Sequence, residues 1–126
     1  MSKWVLYVAA FVLYAHGLVH LIGPVLYLRL AEIKGFTYKT TLLGGRWELG
    51  SAGIGVFGGL WVLAAIGFVV AATAMLLNSS WWLPMLLTVT LFSLVLTALD
   101  SSLAFAGVAV NLGILVFIIW SWRSSL

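Results

Sequence analysis

The sequence contains no cysteine and is poor in charge and in proline. Of its 126 residues only 7% are charged, with six Lys and Arg residues against three Asp and Glu, and there are two prolines. A soluble domain carries about 25% charged residues, so this chain cannot cover a water-facing surface. The lack of cysteine excludes disulfides, thiolate metal sites and thiol redox chemistry. The positive charges are scattered along the chain, which gives no support to nucleic-acid binding.

Apolar residues make up 64% of the chain and fall into four long windows. A membrane crossing needs about 20 apolar residues in a helix, so a chain of this length has room for four crossings with short connections. We therefore expect an all-α integral membrane protein, a single transmembrane domain over residues 1–126 that folds as an up-down-up-down four-helix bundle. The predicted crossings cover residues 4–28, 49–77, 81–99 and 103–120.

The longest polar stretch, residues 29–48, connects the first and second predicted crossings. It carries most of the charged residues and two adjacent glycines. We expect part of it to lie along the membrane interface as a short helix. The other two connections are predicted to be tight turns, because polar residues interrupt the apolar windows only briefly there, at 78–80 and 100–102.

Two histidines stand near the middle of the first predicted crossing. His16 and His20 are four residues apart, so both imidazoles lie on one face of a helix, about one turn apart. Ionisable residues at such depth are costly and normally face the bundle interior or a water-filled cavity. Two interpretations stay open. The imidazoles could be hydrogen-bonded across helices, or they could act as ligands or in a proton relay.

Further polar residues are predicted to share the membrane half that holds both histidines. They stand at the start of the second crossing, at the end of the third and within the fourth, and they are Arg46, Glu48, Asp100 and Asn111. Arg46 could pair with Asp100 or Glu48, because a guanidinium fork matches a carboxylate and an unpaired charge is costly at that depth. His20 could bond to Asn111 or to a carboxylate. The other half of the predicted bundle is almost entirely apolar.

The two histidines also raise the hypothesis of a divalent metal site. Histidines at i and i+4 with a carboxylate as third ligand form a workable zinc or iron pattern. The candidate ligands are His16, His20, Glu48 and Asp100. The metalloprotease motif is absent, because Gly17, Leu18 and Val19 separate the histidines. Haem is disfavoured, since two histidines on one helix cannot supply both axial ligands. The second ligand would have to come from a methionine such as Met75 or Met85, or from a partner chain.

A row of small residues runs along one face of the second predicted helix. Ser51, Gly55 and Gly59 recur every four residues, a spacing that lets two membrane helices approach closely. This face predicts close packing, either within the chain's own bundle or against a copy of itself or a larger membrane complex. The expected partners are therefore the lipid bilayer and a homo-oligomer or larger membrane complex.

Several short motifs resemble those of a known group of proteins. They are His16-Gly17-Leu18-Val19-His20-Leu21 in the first helix, Gly59-Leu60-Trp61 in the second, Trp81-Trp82 at the start of the third, and Asp100, Gly107 and Asn111 around the fourth. With these motifs, nearly the whole chain resembles small four-helix bacterial integral membrane proteins of unknown function. The resemblance implies the four-helix architecture and no activity. The likeness to DoxX-like proteins is in size and layout only, and the first helix lacks the glutamate of small multidrug resistance transporters.

The sequence leads to three functional hypotheses. The first is a non-catalytic accessory or scaffold subunit that packs against other membrane helices. The alternative is a small metal- or proton-handling protein that uses the two histidines, Glu48 and Asp100. A third is solute transport by an oligomer. The sequence shows no nucleophile with an adjacent base and no phosphate-binding loop, which argues against an enzyme. The expected location is a prokaryotic cell membrane, which the chain crosses several times.

Overall fold

A computed structural model describes residues 1–125 as a helical protein with one small hairpin. The elements are α1 (Lys3–Val19), α2 (Ile22–Tyr27), β1 (Thr41–Leu42), β2 (Trp47–Glu48), α3 (Gly50–Leu76), α4 (Trp82–Leu99) and α5 (Ser101–Ser125). Four stretches of this part of the chain are long and apolar enough to cross a membrane, namely α1 together with α2, then α3, α4 and α5. The expected helical fold with four long apolar helices is confirmed. Helix α5 runs beyond the predicted residues 103–120 at both ends, because the polar residues that flank this apolar window still join the helix.

A short break at His20 and Leu21 divides the first helical stretch into α1 and α2. Pro24 has no N–H and cannot donate to the carbonyl of His20, four residues earlier. The chain instead forms tighter bonds between residues three apart, from His20 N to Gly17 O (3.1 Å) and from Gly23 N to His20 O (3.1 Å). The backbone of His20 stays right-handed helical, with φ −60° and ψ −21°. The two helices therefore remain one candidate membrane span.

The connection between α2 and α3 forms a β-hairpin in place of the expected short helix. Strands β1 and β2 pair antiparallel across a 3-10 turn, Leu43–Gly45. Gly44 and Gly45 have φ angles of 65° and 91°, a left-handed backbone that glycine adopts without steric cost. These two glycines favour a reversal of the chain over a continuing helix. Leu42 of β1 is buried in the core, which attaches the hairpin to the helices.

The helices pack in sequence, with α1 and α2 on α3, α3 on α4, and α4 on α5. Glycines permit the closest approaches. A Cβ added to Gly23 of α2 would lie 2.5 Å from Cγ of Trp61 on α3, and a Cβ added to Gly67 of α3 would lie 2.4 Å from Cγ2 of Val89 on α4. Since no side chain fits at such distances, these glycines let neighbouring helices meet. Three seams of the bundle are therefore tightly packed.

The predicted small-residue face of α3 lies away from these packed seams. Ser51 is exposed, and a Cβ added to Gly59 would have nothing within 4 Å in the described part of the chain. Gly55 has one such neighbour, Leu28, whose Cδ2 would lie 3.4 Å from the added Cβ. Gly58 is the residue of this region that meets α2 closely. Helix α3 therefore packs on α2 through a face that is rotated from the predicted one. The predicted face makes few contacts within residues 1–125.

The fourth seam, between α1 and α5, is open. These two helices make little backbone contact with each other, and two cavities of about 440 Å³ each lie along them. The cavities adjoin, since Val12 of α1 and Val110 of α5 line both. The bundle therefore has one seam that differs in character from the other three, and this seam holds the candidate site.

Candidate functional site

One of the two cavities in the open seam gathers polar side chains from α1, α2, α3 and the end of α4. We name this cavity the seam cleft. Its polar lining consists of His16, His20, Tyr27, Trp61, Thr97 and Asp100. The other cavity, named the apolar extension, continues along α1 and α5 and is lined by apolar residues such as Trp4 and Phe117. A cavity of this volume, with mainly apolar walls and a few polar groups between helices, is typical of small-molecule sites.

The two histidines belong to one buried hydrogen-bond network that joins α1, α4 and α5. Nε2 of His16 lies 2.9 Å from Oδ1 of Asn111. Nε2 of His20 lies 2.6 Å from Oγ of Ser93, and its Nδ1 lies 2.6 Å from the carbonyl oxygen of His16. Nδ2 of Asn111 donates to Ser93 Oγ at 2.9 Å and to Thr97 Oγ1 at 3.2 Å. The expected bond of His20 to Asn111 or to a carboxylate is not found, because His20 bonds to Ser93 and to the carbonyl of His16, while His16 bonds to Asn111.

The partners in this network determine where the protons lie. Amide and carbonyl oxygens only accept, so His16 carries its proton on Nε2 and His20 carries its proton on Nδ1. Ser93 then donates its hydroxyl proton to Nε2 of His20 and accepts from Asn111. Both nitrogens of His20 are hydrogen-bonded in the neutral form. Of the two nitrogens of His16, only Nε2 has a hydrogen-bond partner within residues 1–125, and Nδ1 is the acceptor nitrogen of this ring.

A second polar group joins the α2–α3 connection to the end of α4. Nζ of Lys39 donates to Oδ1 of Asp100 at 2.5 Å, to the hydroxyl of Tyr27 at 3.1 Å and to the carbonyl of Thr41 at 3.0 Å. The Tyr27 hydroxyl donates to the other carboxylate oxygen of Asp100. Asp100 is only 1% exposed, and a buried carboxylate of this kind requires such a partner. All three ammonium protons of Lys39 are used. The connection is thereby fastened over one end of the seam cleft.

Arg46 and Glu48 lie outside both polar groups, although the sequence placed them in the same cluster. The hairpin carries both residues, and both are exposed. Glu48 accepts from the hydroxyl of its neighbour Thr40, with both oxygens at 2.9 Å. Lys39 takes the position at Asp100 that Arg46 was expected to occupy. The physical reason is the hairpin itself, which keeps residues 46 and 48 out of α3 and away from its buried face.

The four candidate metal ligands are not gathered into one site. In the part of the chain that the structure describes, no group of three His, Asp or Glu residues lies close enough to hold a metal ion. Both nitrogens of His20 are engaged in hydrogen bonds, Asp100 is paired with Lys39, and Glu48 lies on the hairpin. The geometry offers hydrogen-bonding groups beside a cavity, and metal binding would require these bonds to be broken.

Trp61, a lining residue of the seam cleft, has an unpaired donor. Its indole Nε1 is buried and finds no hydrogen-bond partner in residues 1–125, a situation shared there only with the Thr90 hydroxyl. The Trp61 ring lies 5.1 Å from the ring of His20, centroid to centroid, and the side chain is 6% exposed. A buried N–H without an acceptor is unfavourable by about 1–3 kcal/mol. Other atoms of Trp61 line the cleft, while its Nε1 is buried and is not exposed to the cavity.

Several residues of the site were missed by the sequence analysis. They are Tyr27, Lys39, Trp61, Ser93 and Thr97. Ser93 and Thr97 carry a usable signal, because they repeat on α4 the four-residue spacing of the two histidines and so lie on one face. Lys39 carries none, because its position depends on the fold of the connection.

No family model, no curated protein and no solved structure matches this chain significantly. Its function therefore has to be argued from the geometry of the open seam and from the polar groups that line the seam cleft.

Proposed function

We propose that this protein is a multi-pass membrane protein that binds an amphipathic small molecule in the seam cleft. The observation that carries the proposal is the open seam between α1 and α5, whose cavities have apolar walls and lie beside the buried histidine network. A molecule that enters from the bilayer would place its apolar part along α1 and α5. Its polar part would meet the histidine network.

We infer an up-down-up-down arrangement in a prokaryotic cell membrane. Helices α3 and α4 are separated by only five residues, 77–81, and α4 and α5 by Asp100 alone. Connections of this length join antiparallel neighbours. The prokaryotic location rests on the resemblance to small bacterial membrane proteins. With this arrangement, the seam cleft lies at the depth of the hydrocarbon core, where lipid-soluble molecules concentrate.

The histidine network beside the cleft favours ligand binding over a purely structural role for the cleft. If stability were the only requirement, close apolar packing between α1 and α5 would stabilise the bundle more than a cavity does. Here the only side-chain hydrogen bond found between α1 and α5 in residues 1–125 is that of His16 with Asn111. This hydrogen bond is a polar bridge between the two helices, and Val12 and Val110 line both adjoining cavities.

Photo-crosslinking in nanodiscs tests this proposal. The probe is 1-hexadecanol with a diazirine in its chain, and the crosslinked residues are mapped by mass spectrometry. We expect labels on α1 and α5 residues of the cleft and the apolar extension. Val12→Trp should remove most of this labelling by filling the shared part of the two cavities. The matched control is Val56→Trp, at an exposed position on α3 that lines neither cavity. Labels spread evenly over all lipid-facing positions would contradict the proposal.

A second candidate is an accessory or scaffold subunit, favoured by the uncovered small-residue face of α3. Ser51, Gly55 and Gly59 are mostly free of contacts from the described chain, so another membrane helix could approach there. Gly59→Leu would then break a complex seen by native mass spectrometry, while Ile66→Leu, at an exposed position on the same helix, would leave it intact. A complex that survives Gly59→Leu would contradict this candidate.

A further inference from the structure

We infer that a second site of this protein, at the membrane interface, binds the head group of an anionic phospholipid. The site is a cavity of about 930 Å³ between the end of α2 and the connection that follows it. We name it the interfacial cavity. Its charged lining consists of Arg29, Glu32 and Lys34, and it shares only Phe36 with the seam cleft. The inference therefore concerns a different site from the proposed function and does not rest on it.

The cations of the interfacial cavity have no carboxylate partner in the described part of the chain. Within residues 1–125 the one ion pair is that of Lys39 with Asp100, and neither residue lines this cavity. Arg29 and Lys34 are both exposed. Since these two cations face a single acid, Glu32, the lining carries an excess of positive charge. A ligand with a net negative charge would balance it.

Arg29 is held in place at the end of α2 by its backbone and by an aromatic ring. Its backbone is left-handed, with φ 55°, a conformation that glycine usually supplies where a helix ends. The amide of Leu30 donates to the carbonyl of Val25 at 2.9 Å and closes the helix end around it. The guanidinium carbon lies 4.0 Å from the ring centroid of Tyr38. A guanidinium that stacks by its face presents its N–H donors along its edge, where they match two oxygens of a phosphate.

The interfacial cavity lies at the level of lipid head groups. The first candidate membrane span ends at Tyr27, and Arg29 follows two residues later. Head groups occupy about 5–7 Å on each side of the hydrocarbon core. Leu28 and Leu30, the neighbours of Arg29, are 47% and 68% exposed, which places apolar surface beside the cations. A phospholipid bound here would therefore place its phosphate at the cations and its chains against these leucines.

The distribution of charge along the chain favours an anionic lipid as the ligand. Four of the six Lys and Arg residues stand in the connection 29–48. By the positive-inside rule, this excess predicts that the connection faces the cytoplasm. The cytoplasmic leaflet has a negative surface potential, and basic pockets on that side of membrane proteins bind anionic head groups. The interfacial cavity has both the charge and the position of such a pocket.

Lipid titration followed by native mass spectrometry tests the inference on the whole chain in detergent micelles. The probes are phosphatidylglycerol, which is anionic, and phosphatidylethanolamine and phosphatidylcholine, which are zwitterionic, all three with dioleoyl chains. We expect one phosphatidylglycerol per chain to bind about tenfold more tightly than either zwitterionic lipid, because only its head group has a net charge opposite to that of the cavity. Equal binding of the three lipids would overturn the inference.

Charge substitutions locate the site on the protein. Arg29→Gln and Lys34→Gln should each weaken the binding of phosphatidylglycerol about fivefold, because each removes one basic group near the phosphate. Glu32→Gln should strengthen this binding about threefold, because it removes the acid of the lining. The matched control is Arg46→Gln, which removes an exposed cation of the same connection that does not line the cavity. Its effect should stay below about twofold.

Two further outcomes would overturn the inference. If Arg46→Gln weakens binding as much as Arg29→Gln does, the lipid is attracted by the basic connection as a whole and not by the cavity. Inorganic phosphate distinguishes a lipid from a soluble anion, because it offers the same charged oxygens without chains. We expect phosphate at millimolar concentration to leave phosphatidylglycerol bound, and its displacement would show that the cavity takes a soluble anion. The substituted residues are exposed, so the variants should fold like the wild type.

Discussion

The packed seams and the open seam of this bundle are built from different residues. Where α2 meets α3 and α3 meets α4, glycines let a large neighbour approach, with Trp61 against Gly23 and Val89 against Gly67. Where α1 faces α5, two cavities lie along the helices, and a buried hydrogen bond joins His16 to Asn111. Close packing holds the first kind of seam together, while a polar bridge spans the second. The difference separates the closely packed parts of the bundle from the part where we propose that a ligand binds.

The largest effect is expected at the ion pair that fastens the connection over the cleft. Lys39→Ala should destabilise the protein by about 3 kcal/mol, because it leaves the carboxylate of Asp100 buried without its cation. Chemical unfolding in detergent micelles measures the change. Lys34→Ala is the control, since this lysine of the same connection is exposed, and its effect should stay within about 0.5 kcal/mol. Equal effects of the two substitutions would show that the pair contributes nothing.

The polar bridge of the open seam should show the next largest effect. Asn111→Ala removes the acceptor of the His16 Nε2 proton and the donor to Ser93. Leaving such buried groups unpaired should reduce the free energy of unfolding by about 2 kcal/mol. Thr88→Ala is the control, because Thr88 is exposed and bonds to the carbonyl of Pro84 on its own helix. An Asn111 variant as stable as this control would mean that the bridge does not hold the seam.

A pair of glycine substitutions tests the two kinds of seam directly. Gly67→Ala should destabilise the bundle by about 1–3 kcal/mol, because the new Cβ would lie 2.4 Å from Cγ2 of Val89. Gly113→Ala on the open seam should instead be neutral or stabilise by up to about 1 kcal/mol, since nothing lies within 4 Å and alanine favours the helix. Stability changes of opposite sign would confirm that the two seams differ in packing. Equal losses of stability in the two variants would contradict this difference.

The smallest effect is expected for metal content. Because the nitrogens of His20 are engaged and the acids lie apart from the histidines, we expect elemental analysis of the untagged protein to give the same result before and after replacement of both histidines. A near-stoichiometric metal that is lost in the His16→Ala/His20→Ala variant would contradict the hydrogen-bonding assignment. It would restore the metal-handling hypothesis.

The sequence predicts the helices of this protein better than it predicts their faces. Four apolar windows are enough to define four long helices, because length and continuity are the relevant signals. The faces are harder, since side chains that meet lipid are as apolar as side chains that meet another helix. For this reason the Ser51, Gly55 and Gly59 row pointed to a packing face, while Gly58 makes the close approach to α2.

The sequence predicts the buried histidine network of the candidate site but not the ion pair of Lys39 with Asp100. His16, His20 and Asn111 are rare polar residues within apolar helices. Such residues face the bundle interior and form hydrogen bonds there, because they are costly in an apolar environment. The ion pair of Lys39 with Asp100 depends on the fold of the α2–α3 connection, in which Lys39 reaches Asp100 and Arg46 is exposed on the hairpin. The open seam depends on how α1 and α5 are placed relative to each other. The local sequence pattern of either helix does not predict this placement.

Spin labelling tests the central claim, the accessibility of the open seam from the bilayer, most directly. The chain has no cysteine, so Val110→Cys and Val116→Cys each give one defined label, in the cleft and on an exposed face of α5. In nanodiscs, we predict that dissolved oxygen collides with both labels, and that 1-hexadecanol lowers the collision rate at position 110 only. A label at position 110 that oxygen cannot reach, or that 1-hexadecanol does not affect, would contradict the account.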